Sequence, residues 1–190
     1  MKQGVSMAYD PKDYWENRPN PNAKGHDKAP AFIYRFLAAH LKSDATILEV
    51  GPGVGRTLDV YAPGQDITAL DLSTRYADVV RRRADALGLS LSQAFLDTPE
   101  DAFPFEDKTF DTGVCVQVLM HIPEAHINRT LSELVRTCHE LVLVSSVALP
   151  EGTTAAHVFV HDYDALLRAL GAEIVDTQRH GNTGLFFVKA

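Results

Sequence analysis

The chain of 190 residues has little of what marks exported, membrane-spanning or disulfide-stabilised proteins. It contains only two cysteines, Cys115 and Cys138, which lie in or beside apolar segments without a metal-ligand partner at useful spacing. We therefore expect buried free thiols in a reducing compartment. No apolar run approaches the roughly 18 residues that cross a bilayer, and the N-terminus has no apolar signal core. These absences favour a cytoplasmic protein that does not enter membranes.

Positive charge is also scarce, because 18 Lys and Arg residues stand against 25 Asp and Glu residues, a net charge of −7. Phosphate backbones and anionic membranes bind clustered basic residues, so we expect neither nucleic acid nor a membrane surface as partner. The hydrophobic fraction of 45% and the charged fraction of 23% are ordinary for a globular protein. A chain of this length is expected to form one domain with a sizeable core.

Residues 43–190 alternate between short apolar runs and segments of helical periodicity. Strands are predicted at residues 46–50, 67–70, 91–95, 112–119 and 141–147, and helices at residues 56–61, 73–87, 123–138 and 162–170. This alternation predicts an α/β fold with a parallel sheet. The last two predicted strands, residues 173–178 and 185–189, are separated only by a turn at Gly181-Asn182, so we expect an antiparallel hairpin.

Residues 1–42, called the N-terminal arm here, have a different composition. They are rich in proline and polar residues, yet they include Tyr9, Tyr14 and the single tryptophan, Trp15. A disordered tail rarely carries so much aromatic surface. We therefore expect the arm, with a helix over residues 31–41, to pack over a cofactor or substrate site in residues 43–190.

The stretch TILEVGPGVG, followed later by ALDLS, is the strongest functional pattern. A predicted strand ends in Gly51, Gly53 and Gly55, a helix is predicted to follow, and the next strand ends in Asp71. Glycines let a backbone turn sharply and approach a ligand closely, and a carboxylate at the next strand tip accepts hydrogen bonds from ribose hydroxyls. The pattern therefore predicts a nucleoside site.

Two details disfavour a nicotinamide dinucleotide as the ligand. The glycine spacing is G-x-G-x-G followed by Arg56, whereas dinucleotide sites use G-x-G-x-x-G. Glu49 also precedes the glycines, where a buried carboxylate would repel a pyrophosphate. It suits a ligand that carries positive charge or amide-like donors.

Three segments together resemble the class I S-adenosylmethionine-dependent methyltransferases of the small-molecule type. They are LEVGPGVG at Leu48–Gly55, ALDLS at Ala69–Ser73 and FLDTPEDAFPFEDKTFDTGVCVQVLMHI at Phe95–Ile122. The resemblance implies a Rossmann-like, doubly wound, mostly parallel seven-stranded sheet with a C-terminal antiparallel hairpin and an N-terminal helical arm. It implies S-adenosylmethionine as cofactor and S-adenosylhomocysteine as product.

The resemblance also implies roles for residues on the cofactor side. Gly51, Gly53 and Gly55 would line the methionine and ribose parts, Glu49 would organise the glycine loop, and Asp71 would hold the ribose hydroxyls.

On the adenine side, Leu72 would pack against the ring, Asp97 would accept from the adenine amino group, and Thr98 would supply a backbone amide. Extra residues before Pro104-Phe105 leave Glu100 as an alternative acid.

At the end of the fourth predicted strand, Gln117 and Val118 would border the methionine part. In the arm, Tyr14 would face the sulfonium and Arg18 would pair with the methionine carboxylate, because aromatic rings stabilise cations and guanidinium groups bind carboxylates. The alternative for both residues is a packing cluster with a solvated arginine.

His121 is the candidate general base, since it follows the fourth predicted strand at the edge where α/β sheets place their sites. A polar histidine near a helix start is the alternative. His157 and His161 flank a segment that a substrate would pass, but no third ligand completes a metal site with them, so no resident metal is expected.

The sequence therefore predicts methyl transfer to an N, O or C atom of a small molecule or a peptide end. Two alternatives stay open: another reaction of the same cofactor, such as cyclisation or cleavage, and a non-catalytic methyltransferase-like binding subunit. The acceptor is not determined, and the protein is expected to be a monomer or a homodimer.

Overall fold

The computed structural model describes residues 9–17, 28–149, 152 and 155–190. Seven strands form one sheet in the order β3-β2-β1-β4-β5-β7-β6. They are β1 Ile47–Val50, β2 Asp66–Asp71, β3 Ser90–Phe95, β4 Phe110–Val116, β5 Cys138–Ser146, β6 Glu173–His180 and β7 Thr183–Lys189. Within these ranges, five α-helices accompany the strands: α1 Pro11–Asn17, α2 Ala31–His40, α3 Ala77–Leu87, α4 Glu124–Thr137 and α5 Tyr163–Ala169.

Strands β1 to β5 run parallel, and β7 runs antiparallel to both β5 and β6. The mostly parallel sheet and its C-terminal hairpin confirm the fold expected from the alternating pattern. Chain order reverses between β1 and β4, and that is where ligands bind in open α/β sheets. No helix in the described ranges has the length and apolar character to span a membrane.

The core has two apolar layers, one on each face of the sheet, because neighbouring side chains of a strand point to opposite faces. Ile47 joins the layer that holds Phe36 and Leu37 of α2, whereas Leu48 joins the layer that holds Leu131 of α4. All four residues of β1 are buried. Helix α2 is thus part of the main core and does not merely lie over it.

The prediction of a helix over residues 56–61, directly after the glycines, is wrong. Only a 3-10 turn forms, over Leu58–Val60, because Pro63-Gly64 ends the segment before an α-helix can be completed. The helix expected from Ser73 begins instead at Ala77.

The fourth strand also ends earlier than expected. Strand β4 stops at Val116, because Gln117 adopts a left-handed conformation with φ of 60° and Leu119–His121 form a 3-10 turn. Asp162 caps the start of α5, since its side chain accepts a hydrogen bond from the Ala165 amide at 3.0 Å.

Candidate active site

A cleft of about 590 Å³ opens at the carboxyl ends of the central strands. This volume lies within the usual range of small-molecule sites. Many of the residues that line it were expected from the sequence: Glu49, Gly51, Gly53, Asp71, Leu72, Gln117, Val118 and His121. The β1, β2 and β4 tips meet here because parallel strands end at the same edge of the sheet.

The glycine loop after β1 forms the floor of the cleft. Gly51 has φ of 66°, and a Cβ atom there would clash with Val118 Cγ2, so only glycine fits between the two strand tips. Gly53 has φ of 56°, and a Cβ atom there would meet nothing within 4 Å, so the backbone borders open space. Gly55 packs over Leu58 and does not line the cleft.

Glu49 is a buried carboxylic acid beneath this loop, with an exposed fraction of 3%. The Thr57 hydroxyl donates to its Oε1, whereas its Oε2 is buried and has no partner among the described residues. Burial raises the pKa of Glu49, and the neighbouring Thr57 and Tyr61 hydroxyls oppose that rise. A cationic or donor-rich ligand in the cleft would favour the ionised form.

Asp71 ends β2 and lines the cleft beside Leu72 and Ser73. Burial raises its pKa to about 6, against the opposing effect of the backbone amides of Ser73, Leu72 and Gly53. The Ser73 amide donates to Asp71 Oδ1 at 3.0 Å. The amides fix the carboxylate at the strand tip, where it can accept two ribose hydroxyls.

The adenine side of the cleft differs from the expected arrangement. Leu72, Leu96 and Phe103 line it, but Asp97 and Thr98 do not. The Asp97 carboxylate has an exposed fraction of 94% and pairs with Lys12 at 2.8 Å.

The backbone amide expected to face adenine is also engaged elsewhere. The Thr98 amide donates to Asp101 Oδ2 at 2.8 Å. The alternative acid, Glu100, lies outside the cleft and pairs with His126 at 3.2 Å. This part of the cleft is therefore lined by apolar side chains, and Asp97, Thr98 and Glu100 lie outside it.

Gln117 and Val118 follow β4 and line the cleft as expected. The left-handed backbone of Gln117 is uncommon for a residue with a side chain, and its amide is held by a 2.7 Å hydrogen bond to the Val144 carbonyl. Strained backbone of this kind clusters at binding and catalytic sites.

Helix α1 lies across the mouth of the cleft, where Pro11 and Trp15 line it. Glu16 accepts hydrogen bonds from the Ser73 hydroxyl at 2.6 Å and from the Thr74 amide at 3.0 Å. These bonds lower the pKa of Glu16, that from Ser73 having the largest effect.

Two further contacts attach this part of the chain to other strand tips. Lys12 Nζ donates to the Leu96 carbonyl at 3.3 Å, and the Tyr9 hydroxyl donates to the His121 carbonyl at 3.0 Å. Residues 9–17 are therefore bonded to the loops after β2, β3 and β4. No pattern in the sequence alone indicated these partners.

His121 and His157 form a stacked pair in the wall of the cleft, with ring centroids 5.4 Å apart. His121 Nδ1 lies 2.7 Å from the His157 carbonyl oxygen. A carbonyl oxygen only accepts, so Nδ1 carries the proton and the neutral ring has its lone pair at Nε2. His121 thus has the tautomer that a general base acting through Nε2 requires.

The arm aromatics pack around this pair. The ring of Trp15 lies 4.8 Å from His121 in an edge-on arrangement, and Tyr14 stacks on His157 at 4.8 Å. Tyr14 itself is not among the residues that line the cleft. Arg18, the other candidate in the arm, lies outside the described residues.

Some residues of the cleft were not expected as site residues from the sequence: Arg56, Thr57, Leu96, Phe103 and Thr183. Of these, only Arg56 could have been identified from the sequence as a candidate site residue, because it directly follows the last glycine of the loop. His161 is turned away, with Nε2 2.9 Å from the Ile122 carbonyl oxygen. Within the described ranges, no group of three or more His, Cys, Asp or Glu side chains could hold a metal ion.

The cleft fits S-adenosylmethionine on the evidence of its own atoms. Open space borders Gly53, Asp71 offers a carboxylate to vicinal hydroxyls, and the unpartnered Oε2 of Glu49 lies beneath the loop. An apolar wall for a purine, a carboxylate for ribose hydroxyls and a buried acid, Glu49, for a cationic group occur in the same cavity.

Comparisons with known proteins agree with this assignment. Residues 47–140 match a family model described as a methyltransferase domain. Phosphatidylethanolamine N-methyltransferase of Cereibacter sphaeroides is 31% identical over 126 residues, which cover 64% of this chain and 61% of that protein. A ubiquinone/menaquinone biosynthesis C-methyltransferase, UbiE of Brucella canis, is 30% identical over 105 residues, which cover 53% of this chain and 38% of that protein.

The chain thus spans about half the length of these relatives. Among solved structures, magnesium protoporphyrin IX methyltransferase from Synechocystis PCC 6803 with bound SAM has a TM-score of 0.68 at 18% identity. That match covers 97% of this chain and 99% of the other. The glycine loop, the strand order and these matches together identify residues 47–140 as a methyltransferase domain with the fold of the class I S-adenosylmethionine-dependent methyltransferases.

Proposed function

We propose that this protein transfers a methyl group from S-adenosylmethionine to a small-molecule acceptor. The observation that carries the proposal is the presence of Asp71 and His121 in one cleft. The Asp71 carboxylate at the tip of β2, held by the Ser73 amide, supports a ribose-binding role, and the contact of His121 Nδ1 with the His157 carbonyl supports a role as general base.

The cofactor, when bound, supplies a methyl group on a sulfonium, which is already activated for in-line displacement. The chain therefore has to align the acceptor and exclude water. Gly51 and Val118 close the floor of the cleft, and Pro11 and Trp15 of α1 cover its mouth. No metal or covalent nucleophile of the protein is required for this reaction.

His121 is proposed to take the proton that the acceptor loses. Its Nδ1–H donates to the His157 carbonyl, which fixes the orientation of the ring. The lone pair that accepts the proton is then the one on Nε2. Tyr14 supports this geometry by stacking on His157, and we propose it as a positioning residue.

Our proposal for the acceptor is a small amine. The name of the Cereibacter sphaeroides relative specifies transfer to nitrogen, and the net charge of −7 favours neutral or cationic acceptors. An amine also needs only the loss of one proton, a task that a single histidine can perform. A carbon acid is the second candidate, because the name of the Brucella canis relative specifies C-methylation.

We further propose that the protein acts as a monomer or homodimer in the cytoplasm, without nucleic acid or membrane. The described residues of one chain line the cleft, and both cysteines are free buried thiols, which suits a reducing compartment.

Mass spectrometry of the purified protein tests the cofactor first, by detecting co-purified S-adenosylmethionine or S-adenosylhomocysteine. A screen of amines and carbon acids then measures S-adenosylhomocysteine formation. Release of methylthioadenosine without an acceptor would point to non-methyl chemistry instead. Failure of the protein to bind S-adenosylhomocysteine in calorimetry would contradict the proposal and favour a non-catalytic subunit.

A further inference from the structure

The cleft is longer than the cofactor proposed for it. Asp71, which ends β2, and Thr183, which begins β7, both line this cleft. Strands β1, β4 and β5 lie between β2 and β7 in the sheet. With neighbouring strands about 4.8 Å apart, the two strand tips are separated by about 19 Å. The methionine part of the cofactor reaches only about 8 Å beyond the ribose ring when fully extended. A cofactor whose ribose is held by Asp71 therefore leaves the β7 end of the cleft unfilled.

Helix α2 and the β6–β7 hairpin enclose this unfilled end. Phe32 of α2 stacks on His180 at the end of β6, with ring centroids 4.6 Å apart. His180 lies opposite Thr183 in the hairpin. Because Phe32 and Thr183 both line the cleft, the space beside them is part of the same cavity. We call it the hairpin pocket.

The hairpin pocket is continuous with the wall that carries the proposed base. Ser146 of β5 lies opposite Thr183 of β7, and its hydroxyl donates to Met120 Sδ at 3.2 Å. Met120 lines the cleft and directly precedes His121 in the same 3-10 turn. A ligand in the hairpin pocket is therefore flanked by the segment that holds His121.

The chemistry of the hairpin pocket is mostly apolar. The start of α2 and the two residues before it contribute only apolar side chains to the cleft: Ala29, Pro30, Phe32 and Ile33. Across from them, Thr183 adds a hydroxyl and Met120 a thioether. A strongly hydrated group would lose water here without gaining enough partners, whereas an apolar group gains by leaving water.

We propose that the hairpin pocket is the acceptor subsite and that it selects an amine carried on an apolar, ring-sized body. The ring of Phe32 gives such a body an aromatic surface to pack against, and the nitrogen is directed to the side of Met120 and His121. The inference rests on the proposed function. It deepens that function by naming the class of acceptor, an arylalkylamine and not a small hydrophilic amine.

The first experiment compares two amines that differ in their apolar body. Protein saturated with S-adenosylhomocysteine is titrated with benzylamine and with ethanolamine, and binding is followed by ligand-observed NMR. Benzylamine is expected to bind at least about tenfold more tightly, because its ring is removed from water. Equal binding of the two amines, or tighter binding of ethanolamine, would overturn the proposal.

The second experiment changes the hairpin pocket from both sides. Phe32→Ala removes the aromatic surface, and Thr183→Leu fills the space with a larger side chain. Each variant is expected to weaken benzylamine binding at least about tenfold and to leave the affinity for S-adenosylhomocysteine unchanged. Weaker S-adenosylhomocysteine binding with unchanged benzylamine binding would show that the cofactor occupies this end, and would overturn the proposal. Since Thr183→Leu leaves the Phe32 ring in place, it keeps the test decisive if Phe32→Ala does not fold.

Phe187→Ala is the matched control. Phe187 of β7 stacks on His40 of α2 with ring centroids 4.3 Å apart, but it does not line the cleft. The control thus removes a similar contact between the same helix and the same hairpin, and it should leave the binding of benzylamine unchanged. An equal loss in Phe187→Ala would show that loosening of α2 causes the effect, and would overturn the subsite. Failure of the wild type to bind S-adenosylhomocysteine would count against the proposed function, whereas a wild type that binds it but not benzylamine would overturn the hairpin pocket alone.

Discussion

At the scale of single residues, the cleft contains carboxylic acids whose burial opposes their charge. Burial raises the pKa of both Glu49 and Asp71, and for Asp71 the value reaches about 6. Such groups destabilise the fold in their ionised state and are retained for what they bind. The ionised state of Asp71 is the one that accepts ribose hydroxyls, so binding and stability respond oppositely to its charge.

Asp71→Asn should weaken S-adenosylhomocysteine binding by roughly 1–3 kcal/mol, through lost charge-assisted hydrogen bonds. In the wild type, affinity should fall as the pH drops through about 6, where the Asp71 carboxylate is protonated. Calorimetry between pH 5 and 8 measures both effects. Asp71→Asn should remove that part of the pH dependence, and a variant with unchanged affinity would contradict the ribose assignment.

The same substitution has an opposite effect on the unliganded protein. The folded state holds the Asp71 proton more tightly than the unfolded chain, so the group's stability contribution is present below its ordinary pKa of 3.8 and is lost as pH rises through about 6. Asp71→Asn should therefore raise the free energy of unfolding at pH 8 by on the order of 1 kcal/mol. Asp66→Asn, exposed at the other end of β2, is the control and should change neither property.

His121→Asn is predicted to lower turnover by about 10²-fold or more, the usual contribution of a general base. Asparagine can keep the donor to the His157 carbonyl but lacks a base at the Nε2 position. Steady-state kinetics with a saturating acceptor, beside calorimetry with S-adenosylhomocysteine, separates catalysis from binding. His139→Gln, on the exposed side of β5, is the control. Wild-type turnover in His121→Asn would remove this residue as the base.

At the scale of elements, α1 lines the mouth of the cleft and is bonded to the loop that follows β2. Glu16 is bonded to Ser73 and Thr74, directly after the strand tip that carries Asp71. The covering helix and the proposed ribose site therefore share one loop. A ligand that binds this loop is therefore expected to hold α1 in place as well.

Glu16→Ala should increase the dissociation rate of S-adenosylhomocysteine by about tenfold, because it removes the carboxylate that accepts these hydrogen bonds. Trp15 lines the cleft and is the single tryptophan of the sequence, so stopped-flow fluorescence reports directly on the site. Asp13→Ala removes a carboxylate of the same helix that accepts from the Asn17 side chain within α1, and this variant should release the ligand at the wild-type rate. Equal rates in both variants would show that Glu16 does not retain the ligand.

At the scale of the whole molecule, the division into an arm of residues 1–42 and a domain of residues 43–190 remains a proposal. Helix α2 belongs to the arm by sequence position, but Ile33, Phe36 and Leu37 are buried in the same apolar layer as Ile47. The part of the arm that only covers the cleft is therefore α1. Helix α2 contributes instead to the stability of the sheet.

Leu37→Ala is predicted to lower the free energy of unfolding by about 2–5 kcal/mol, the range for a large-to-small change in a packed core. Leu131→Ala, buried on the opposite face of the sheet, should cost a similar amount. Denaturant unfolding measures both, with Leu149→Ala at a partly exposed position as the control. A change in Leu37→Ala no larger than in the control would show that α2 is peripheral.

Much of the fold could be predicted from the sequence, because it depends on local patterns. Apolar runs alternating with helical periods determine an α/β sheet, and the short turn at Gly181-Asn182 determines the final hairpin. The glycine loop and Asp71 were found for the same reason, since their spacing along the chain implies their positions at adjacent strand tips.

Only the tertiary structure decided what depends on contacts between distant segments. It placed Leu96 and Phe103 in the wall of the cleft and Asp97 outside it. It also bonded the Tyr9 hydroxyl to the carbonyl of His121 and left Arg56 without an anionic partner among the described residues. Hydrogen bonds and burial at these positions are set by side chains from other elements, and no local pattern encodes them. The sequence by itself therefore determined the cofactor class and the sheet, whereas the acceptor side, the tautomer of His121 and the charge balance of the cleft followed from the packing of the folded chain.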